Sequence, residues 1–328
     1  MIHSRSKQAD GRDISGGPEG HDRRNDCHGG DSVSSRVALV GAGRMGRPLC
    51  GRLVSAGHTV TVSDLRPEQE EAVRSLGADW SPSVTTAAAG ADVLVTVVPG
   101  PAEAAAALPE AVFAALAPGA VWIDMTSNAP AAAGELRERA AAHGVDVLEA
   151  PMGGGPDDAE HGRLTLFVGG PADVLERCRP LLEAVTTSDR IRHMGGPGTG
   201  YTTKLLVNLL WFGQAAATAE ALLLGHRAGI DLSDLRDTLA DSAAGSDFIR
   251  RDLPALFAGD YLRSYGLDRI HDQLTVITEE ARDLGTPHEM ADAVVRIHRL
   301  ALERFGPVDG ELLAVALLEE AAGALLRP

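Results

Sequence analysis

Lys204 and Asn208 are the residues whose types and spacing point most directly to chemistry. They stand four positions apart, so on a helix they share one face. Both lie near the start of GGPGTGYTTKLLVNLLWFGQAAATAEALLLGHRAG (195–229), which its Gly/Pro/Thr opening and Gly229 at the far end mark as one long helix. The middle of that helix is apolar on every side, through Leu205, Leu206, Val207, Leu209, Leu210, Trp211 and Phe212, and this predicts burial all round. Desolvation there favours a neutral amine, bringing a lysine toward the pKa that a general acid/base needs near neutral pH. The other reading of Lys204 is structural, a stem lying along apolar surface with its ammonium in water.

A second signature is GAGRMG (41–46), between the strand pattern RVALV (36–40) and a helical pattern through Ala56, with a further strand pattern, HTVTVSD (58–64), beyond. Strand, glycine turn, helix and strand form the context in which GxGxxG signals a dinucleotide. Gly41 permits the tight turn, Gly43 lets the backbone approach a pyrophosphate, and Gly46 lets the helix pack on the strand. Arg44 and Met45 share this turn, at a helix N-terminus whose free N–H groups and positive dipole end suit phosphate. Asp64 closes the second strand where an acid would take the adenosine ribose hydroxyls.

These groups need a scaffold, and alternation supplies one. Strand patterns at 92–98, 120–125 and 145–150 are separated by helical patterns at 102–116 and up to His143. Repeated βα units predict a parallel, doubly wound sheet with helices on both faces, a Rossmann-type domain over 35–197. Ligands in such sheets lie beyond the carboxyl ends of the strands. The informative strand ends are Val98-Pro99, Thr126-Ser127 and 152–155, where Gly153, Gly154 and Gly155 form either a backbone nest for a carboxylate or a flexible loop. Residues 164–168 read as a strand adding antiparallel at the edge, 171–187 as a helix and 190–194 as a last strand. Beyond the long helix only helical segments follow, near 233–244, 247–257, 268–284, 287–305 and 309–325, with Pro287 and Pro307 marking helix starts. The fold class is therefore α/β, a Rossmann domain followed by an all-α domain over 198–328, with the long helix between them.

Composition narrows the class. A formal net charge of −16 argues against nucleic acid or an anionic membrane as partner, and no apolar run is long enough to span a bilayer. Residues 1–34 carry many charges and glycines and few large apolar side chains, so they read as a disordered tail, with order expected to begin at Arg36. His21, Cys27 and His28 are read as part of that solvated tail, and no metal is expected. Cys27, Cys50 and Cys178 lack CxxC spacing, which suits a reducing cytoplasm.

Four stretches, GAGRMG (41–46), DMTSNAP (124–130), EAPMGGGPDDAEHGRLTLFVGG (149–170) and GPGTGYTTKLLVN (196–208), resemble the β-hydroxyacid dehydrogenase family, which includes 3-hydroxyisobutyrate dehydrogenases and tartronate, glyoxylate and succinic semialdehyde reductases. The resemblance runs from about Arg36 to the end. It implies an NAD(P)-dependent oxidoreductase with a 6-phosphogluconate dehydrogenase-like helical domain, assembled as a homodimer or homotetramer through that domain, acting on a small-molecule β-hydroxy acid or its semialdehyde or keto form. It further implies that Lys204 exchanges the substrate hydroxyl proton during hydride transfer and that Asn208 holds the substrate. Thr126 matches a Ser that binds the substrate carboxylate, Gly154 and Gly155 match glycines whose N–H groups do the same, Ser127 lies near the nicotinamide ribose, and Val98 and Pro99 contact the cofactor.

Departures from the family pattern bear on the substrate. Gly153 stands where a Ser is common, Glu103 where a cofactor-side Asn is common, and Asp272 or His271 where a second Lys is usual. Trp211 and Phe212, one turn beyond Asn208, either line a broader apolar substrate pocket or pack in the core. These changes predict a substrate larger than, or charged differently from, 3-hydroxyisobutyrate. For the cofactor, Asp64 repels a 2′-phosphate and favours NAD, whereas Arg66 is placed to receive one and favours NADP; the balance leans to NAD. The competing functions are an imine reductase-like enzyme, against which Lys204 argues, and a non-catalytic dinucleotide-binding protein.

Overall fold

A computed structural model describes Ser34–Pro328; the tail expectations for residues 1–33 lie outside the described residues. Nine strands form one sheet: β1 (Arg36–Val40), β2 (Thr59–Ser63), β3 (Asp79–Trp80), β4 (Val93–Thr96), β5 (Val121–Asp124), β6 (Asp146–Glu149), β7 (Met152–Gly153), β8 (Thr165–Gly169) and β9 (Ile191–Gly195). Their order is β3-β2-β1-β4-β5-β6-β8-β7, with β9 paired to β8. The first six are mutually parallel, and β8 reverses against β6 as the pattern at 164–168 predicted. In β4 and β5 every residue is buried, as expected of central parallel strands covered on both faces.

Period-two alternation splits the core into two layers. Val37 and Leu39 of β1 join Leu49, Leu53, Val95, Ile123 and Leu182 on one face, while Ala38 and Val40 join Leu94, Phe113, Trp122 and Leu136 on the other. The chain reverses order where β1 lies between β2 and β4, so the crevice beyond the carboxyl ends of β1 and β4 is the expected ligand position.

The helix Thr199–Arg227 leads into a bundle of Leu232–Asp241, Leu267–Asp283, Glu289–Phe305 and Leu313–Ala322. Asp231 caps the first of these by accepting from the N–H groups of Ser233 and Asp234. The bundle's apolar side chains cluster around Leu222, Phe248 and Leu253, around Leu205, Phe212, Ile270 and Leu274, and around Leu267, Ala301 and Ala314.

Four expectations are corrected. The helix at 102–116 is two, Pro101–Ala107 and Glu110–Ala115, because Pro109 lacks an N–H and clashes with the preceding turn. The segment at 247–257 begins as a π-helical turn, Phe248–Asp252, before Leu253–Phe257. Pro307 does not open a helix. Residues 306–312 run beside 261–267 instead, with Gly310 N donating to Tyr265 O at 3.0 Å, Leu312 N to Tyr261 O at 3.0 Å and Leu267 N to Val308 O at 2.9 Å. Helix resumes only at Leu313. Lastly, the long helix is not buried on every side. Within one chain its neighbours cover Leu205, Phe212, Ala215 and Leu222 but leave Leu206 47% and Leu210 63% exposed.

Candidate active site

Two buried carboxylates at the ends of β5 and β6 position the long helix. Asp124 accepts at Oδ1 from Thr96 Oγ1 (2.7 Å) and Thr126 N (3.0 Å), and at Oδ2 from Asn128 Nδ2 (3.1 Å) and Tyr201 OH (2.7 Å). Glu149 accepts from the N–H groups of Gly198 (2.5 Å) and Gly200 (3.2 Å), satisfying helix-opening donors that otherwise lack intrahelical partners. Burial pushes the Glu149 carboxyl up, against those hydrogen bonds and the nearby Arg137. Gly200 must be glycine here: a Cβ would stand 2.6 Å from Phe167 O and 2.8 Å from Gly169 N, both backbone atoms of β8. The helix therefore starts fastened to three strand ends, which sets Lys204 and then Asn208 one turn apart beyond the sheet.

Part of the Lys204 side chain remains accessible, yet protein surrounds the ammonium closely. Desolvation lowers its pKa to about 8, opposed by the negative charge of Glu311. Glu311 is itself raised by burial, and takes a hydrogen bond from Ser264 Oγ. Asn208 Nδ2 donates to Gln273 Oε1 at 2.7 Å, and Gln273 Nε2 donates to Tyr265 OH at 2.6 Å. Of the positions compared with the usual second Lys, Asp272 is exposed, with 74% of its side chain accessible, and His271 is half-buried. The residue that reaches Asn208 is neither of them but Gln273.

Thr126 is buried at the end of β5, where its Oγ1 accepts from Val98 N at 3.3 Å, so two of the predicted strand ends meet. Gly155 departs from its expected role. Gly154 has φ +110°, and the Gly155 N–H already donates to Asp158 Oδ2 at 3.1 Å. That N–H is therefore committed to an internal acid. Trp211 turns away from the expected pocket: it packs edge-on against Phe212 and Phe248 and donates from Nε1 to Asp252 Oδ2 at 2.9 Å.

The glycine turn fits a dinucleotide. A Cβ on Gly41 would lie 2.2 Å from Val97 O and one on Gly46 1.9 Å from Gly41 O, whereas at Gly43 the nearest atom is Arg66 Nη2 at 3.6 Å. Two glycines are thus consumed by close packing of turn, helix and the chain after β4, while the third meets only the end of the Arg66 side chain. Among the described residues, the N–H groups of Gly43, Arg44 and Met45 have no protein acceptor, leaving donors at the helix start for phosphate oxygens. Asp64 Oδ2 accepts from Ala42 N at 2.7 Å, and both its oxygens hold the Arg66 guanidinium, at 3.0 and 3.1 Å. These bonds, together with that from Arg66 N, keep the Asp64 carboxyl below its ordinary range although burial raises it.

The glycine turn and the helix after β4 are also tied to the helical domain. Arg44 donates to the carbonyls of Arg263 (3.2 Å) and Ser264 (2.9 Å), and Glu103, after β4, pairs with Arg269 at 2.5 Å. Glu103 and its position as a departure were visible in the sequence; its partner was not.

The family model described as the NAD binding domain of 6-phosphogluconate dehydrogenase matches residues 36–195, and that described as NAD-binding of NADP-dependent 3-hydroxyisobutyrate dehydrogenase matches residues 198–318. The chain is 30% identical to the 2-(hydroxymethyl)glutarate dehydrogenase of Eubacterium barkeri over 80% of its length and 88% of that protein. It is 35% identical to the 3-hydroxyisobutyrate dehydrogenase of Pseudomonas aeruginosa over 64% of its length and 70% of that protein. The chain belongs to the β-hydroxyacid dehydrogenase family. The solved 3-hydroxyisobutyrate dehydrogenase of Mycobacterium tuberculosis, with L-serine, superimposes at a TM-score of 0.79 with 25% identity, covering 87% of this chain and 99% of that one. An imine reductase of Myxococcus stipitatus shares the fold alone, at 21% identity and a TM-score of 0.60.

Membership in the β-hydroxyacid dehydrogenase family makes the protein an NAD(P)-dependent oxidoreductase acting on hydroxyl groups. The residues that sequence reasoning missed, Asp124, Glu149, Gln273, Tyr265 and Glu311, are those whose role depends on contacts between distant segments. For Asp124 a signal existed, since it is the lone acid ending an apolar strand.

Proposed function

We propose that the protein interconverts a β-hydroxy acid and its semialdehyde or keto form, with Lys204 as general acid/base and NAD as the preferred cofactor. The observation that carries this is the desolvated Lys204 amine, its pKa lowered to about 8, on the helix face it shares with Asn208. Gly41, Gly43, Arg44, Met45, Gly46, Val98, Pro99 and Ser127 would hold the dinucleotide, with Asp64 toward its ribose. When bound, the nicotinamide supplies the acceptor or donor of hydride. Neutral Lys204 takes the hydroxyl proton as the carbonyl forms, and protonated Lys204 returns it in reduction. Asn208, its Nδ2 held by Gln273, is oriented to bind the substrate. The Thr126 hydroxyl accepts from Val98, which leaves its own proton for a substrate oxygen.

NAD is favoured because a 2′-phosphate would have to draw Arg66 from Asp64 and then sit beside that carboxylate. The exposed apolar stripe of Leu206, Val207 and Leu210 supports a homodimer through the helical domain, and the free, buried thiols of Cys50 and Cys178 suit a cytoplasmic setting. Gly153 and the Asp158-bound Gly155 support a substrate other than 3-hydroxyisobutyrate.

The test is a nicotinamide absorbance assay over 3-hydroxyisobutyrate, 2-(hydroxymethyl)glutarate, L-serine and L-threonate with NAD and NADP, alongside Lys204→Ala. The substitution should lower kcat by about 10²–10⁴-fold. Unchanged turnover in Lys204→Ala would remove the acid/base assignment, tighter NADPH than NADH binding the cofactor preference, and efficient turnover of 3-hydroxyisobutyrate the substrate reading.

A further inference from the structure

Beyond the Thr126 hydroxyl, the sheet side of the site offers few donors for a carboxylate. Gly153 brings no hydroxyl, and Gly155 N–H is spent on Asp158, which is itself paired with Arg163. The helical side shows the opposite. Asn208, Gln273 and Tyr265 form a directed chain in which each amide nitrogen donates to the next oxygen, at 2.7 and then 2.6 Å. Gln273, 9% exposed, is held between them. The Tyr265 oxygen is therefore an acceptor in this chain, and among the described residues its own proton has no acceptor. Burial pushes the phenol up to about 12, so the proton stays on it at working pH. The backbone at this point is fixed by Gly310 N, which donates to Tyr265 O at 3.0 Å. Ser264, the preceding residue, binds Glu311, whose charge acts on Lys204.

We propose that Tyr265 is a substrate-binding residue, its hydroxyl donating to the carboxylate of the hydroxy acid while Gln273 holds the phenol with its proton turned toward the substrate. This rests on the reading of the substrate as a hydroxy acid. It makes the helical domain, rather than the glycine turn after β7, the principal source of carboxylate recognition.

Tyr265→Phe keeps the ring and deletes only the hydroxyl. A charge-assisted hydrogen bond is worth about 10–100-fold, so KM for the best acid in the panel should rise by about that factor. kcat should change less, and the dissociation constant for the cofactor should stay as in wild type. A primary alcohol analogue lacking the carboxylate should show the same KM with both proteins. Gln273→Glu, which offers only acceptors and captures the phenol proton, should raise KM for the acid as Tyr265→Phe does, and thermal melting would verify that both variants fold. Wild-type turnover with unchanged KM in a folded Tyr265→Phe overturns this assignment alone. Absence of wild-type turnover on every hydroxy acid overturns the reaction reading and this assignment with it.

Discussion

Lys204 carries two opposed consequences of one environment. Its pKa in the folded protein, about 8, lies below the ordinary 10.5, because desolvation penalises the ammonium. Oxidation needs the neutral amine, so its rate should climb as pH rises through about 8, while reduction, which needs the ammonium, should fall over the same window. Measuring kcat/KM against pH in both directions checks this, and superimposable profiles would contradict it. Linkage has the matching sign: between the two values the unfolded chain binds a proton that the native state does not, so stability from this group rises with pH, and at pH 7 the charge costs stability. Lys204→Met should therefore raise the melting temperature at pH 7 while abolishing turnover. The pair with Asn208 was legible from spacing alone. Gln273 and Tyr265 were not, because nothing local says that a residue 65 positions on will reach Asn208.

At the scale of elements, the long helix owes its placement to what binds its first turn. Asp124 and Glu149 reach it from β5 and β6, and Gly200 lets it touch β8 at backbone distance. Gly200→Ala would force those backbones apart, an overpacking cost of about 1–3 kcal/mol. It should lower the melting temperature and reduce kcat by shifting Lys204, one turn on. A wild-type kcat with an unchanged melting temperature would show that this junction does not position the lysine. The βα alternation and the glycine turn were readable because their periodicities are local. The segment 306–312 was not: its Gly and Pro look like a helix start, yet the N–H groups of 310–312 and the Val308 carbonyl are bonded to 261–267.

At the scale of the molecule, the cofactor loops and the helical domain are joined by Arg44 to the 263–264 carbonyls and by Glu103 to Arg269. The helical domain in turn shows Leu206, Val207 and Leu210 along the long helix. If that stripe seats a second copy, Leu210→Glu should shift the protein toward monomer in sedimentation equilibrium, since a charge would be buried without a partner. An unaltered mass would place the contact elsewhere.

The amino-acid sequence by itself determined the parallel sheet, the glycine turn, the long helix and the Lys204–Asn208 pair. Each follows from short-range spacing, the period of a strand or helix and the steric allowance of glycine. Tertiary structure alone decided that Trp211 packs against Phe248 and bonds to Asp252, and that Gln273 and Tyr265 form a hydrogen-bonded chain with Asn208. Those outcomes turn on which of several satisfiable hydrogen bonds is made, and that is settled only when segments far apart in the chain are packed against each other.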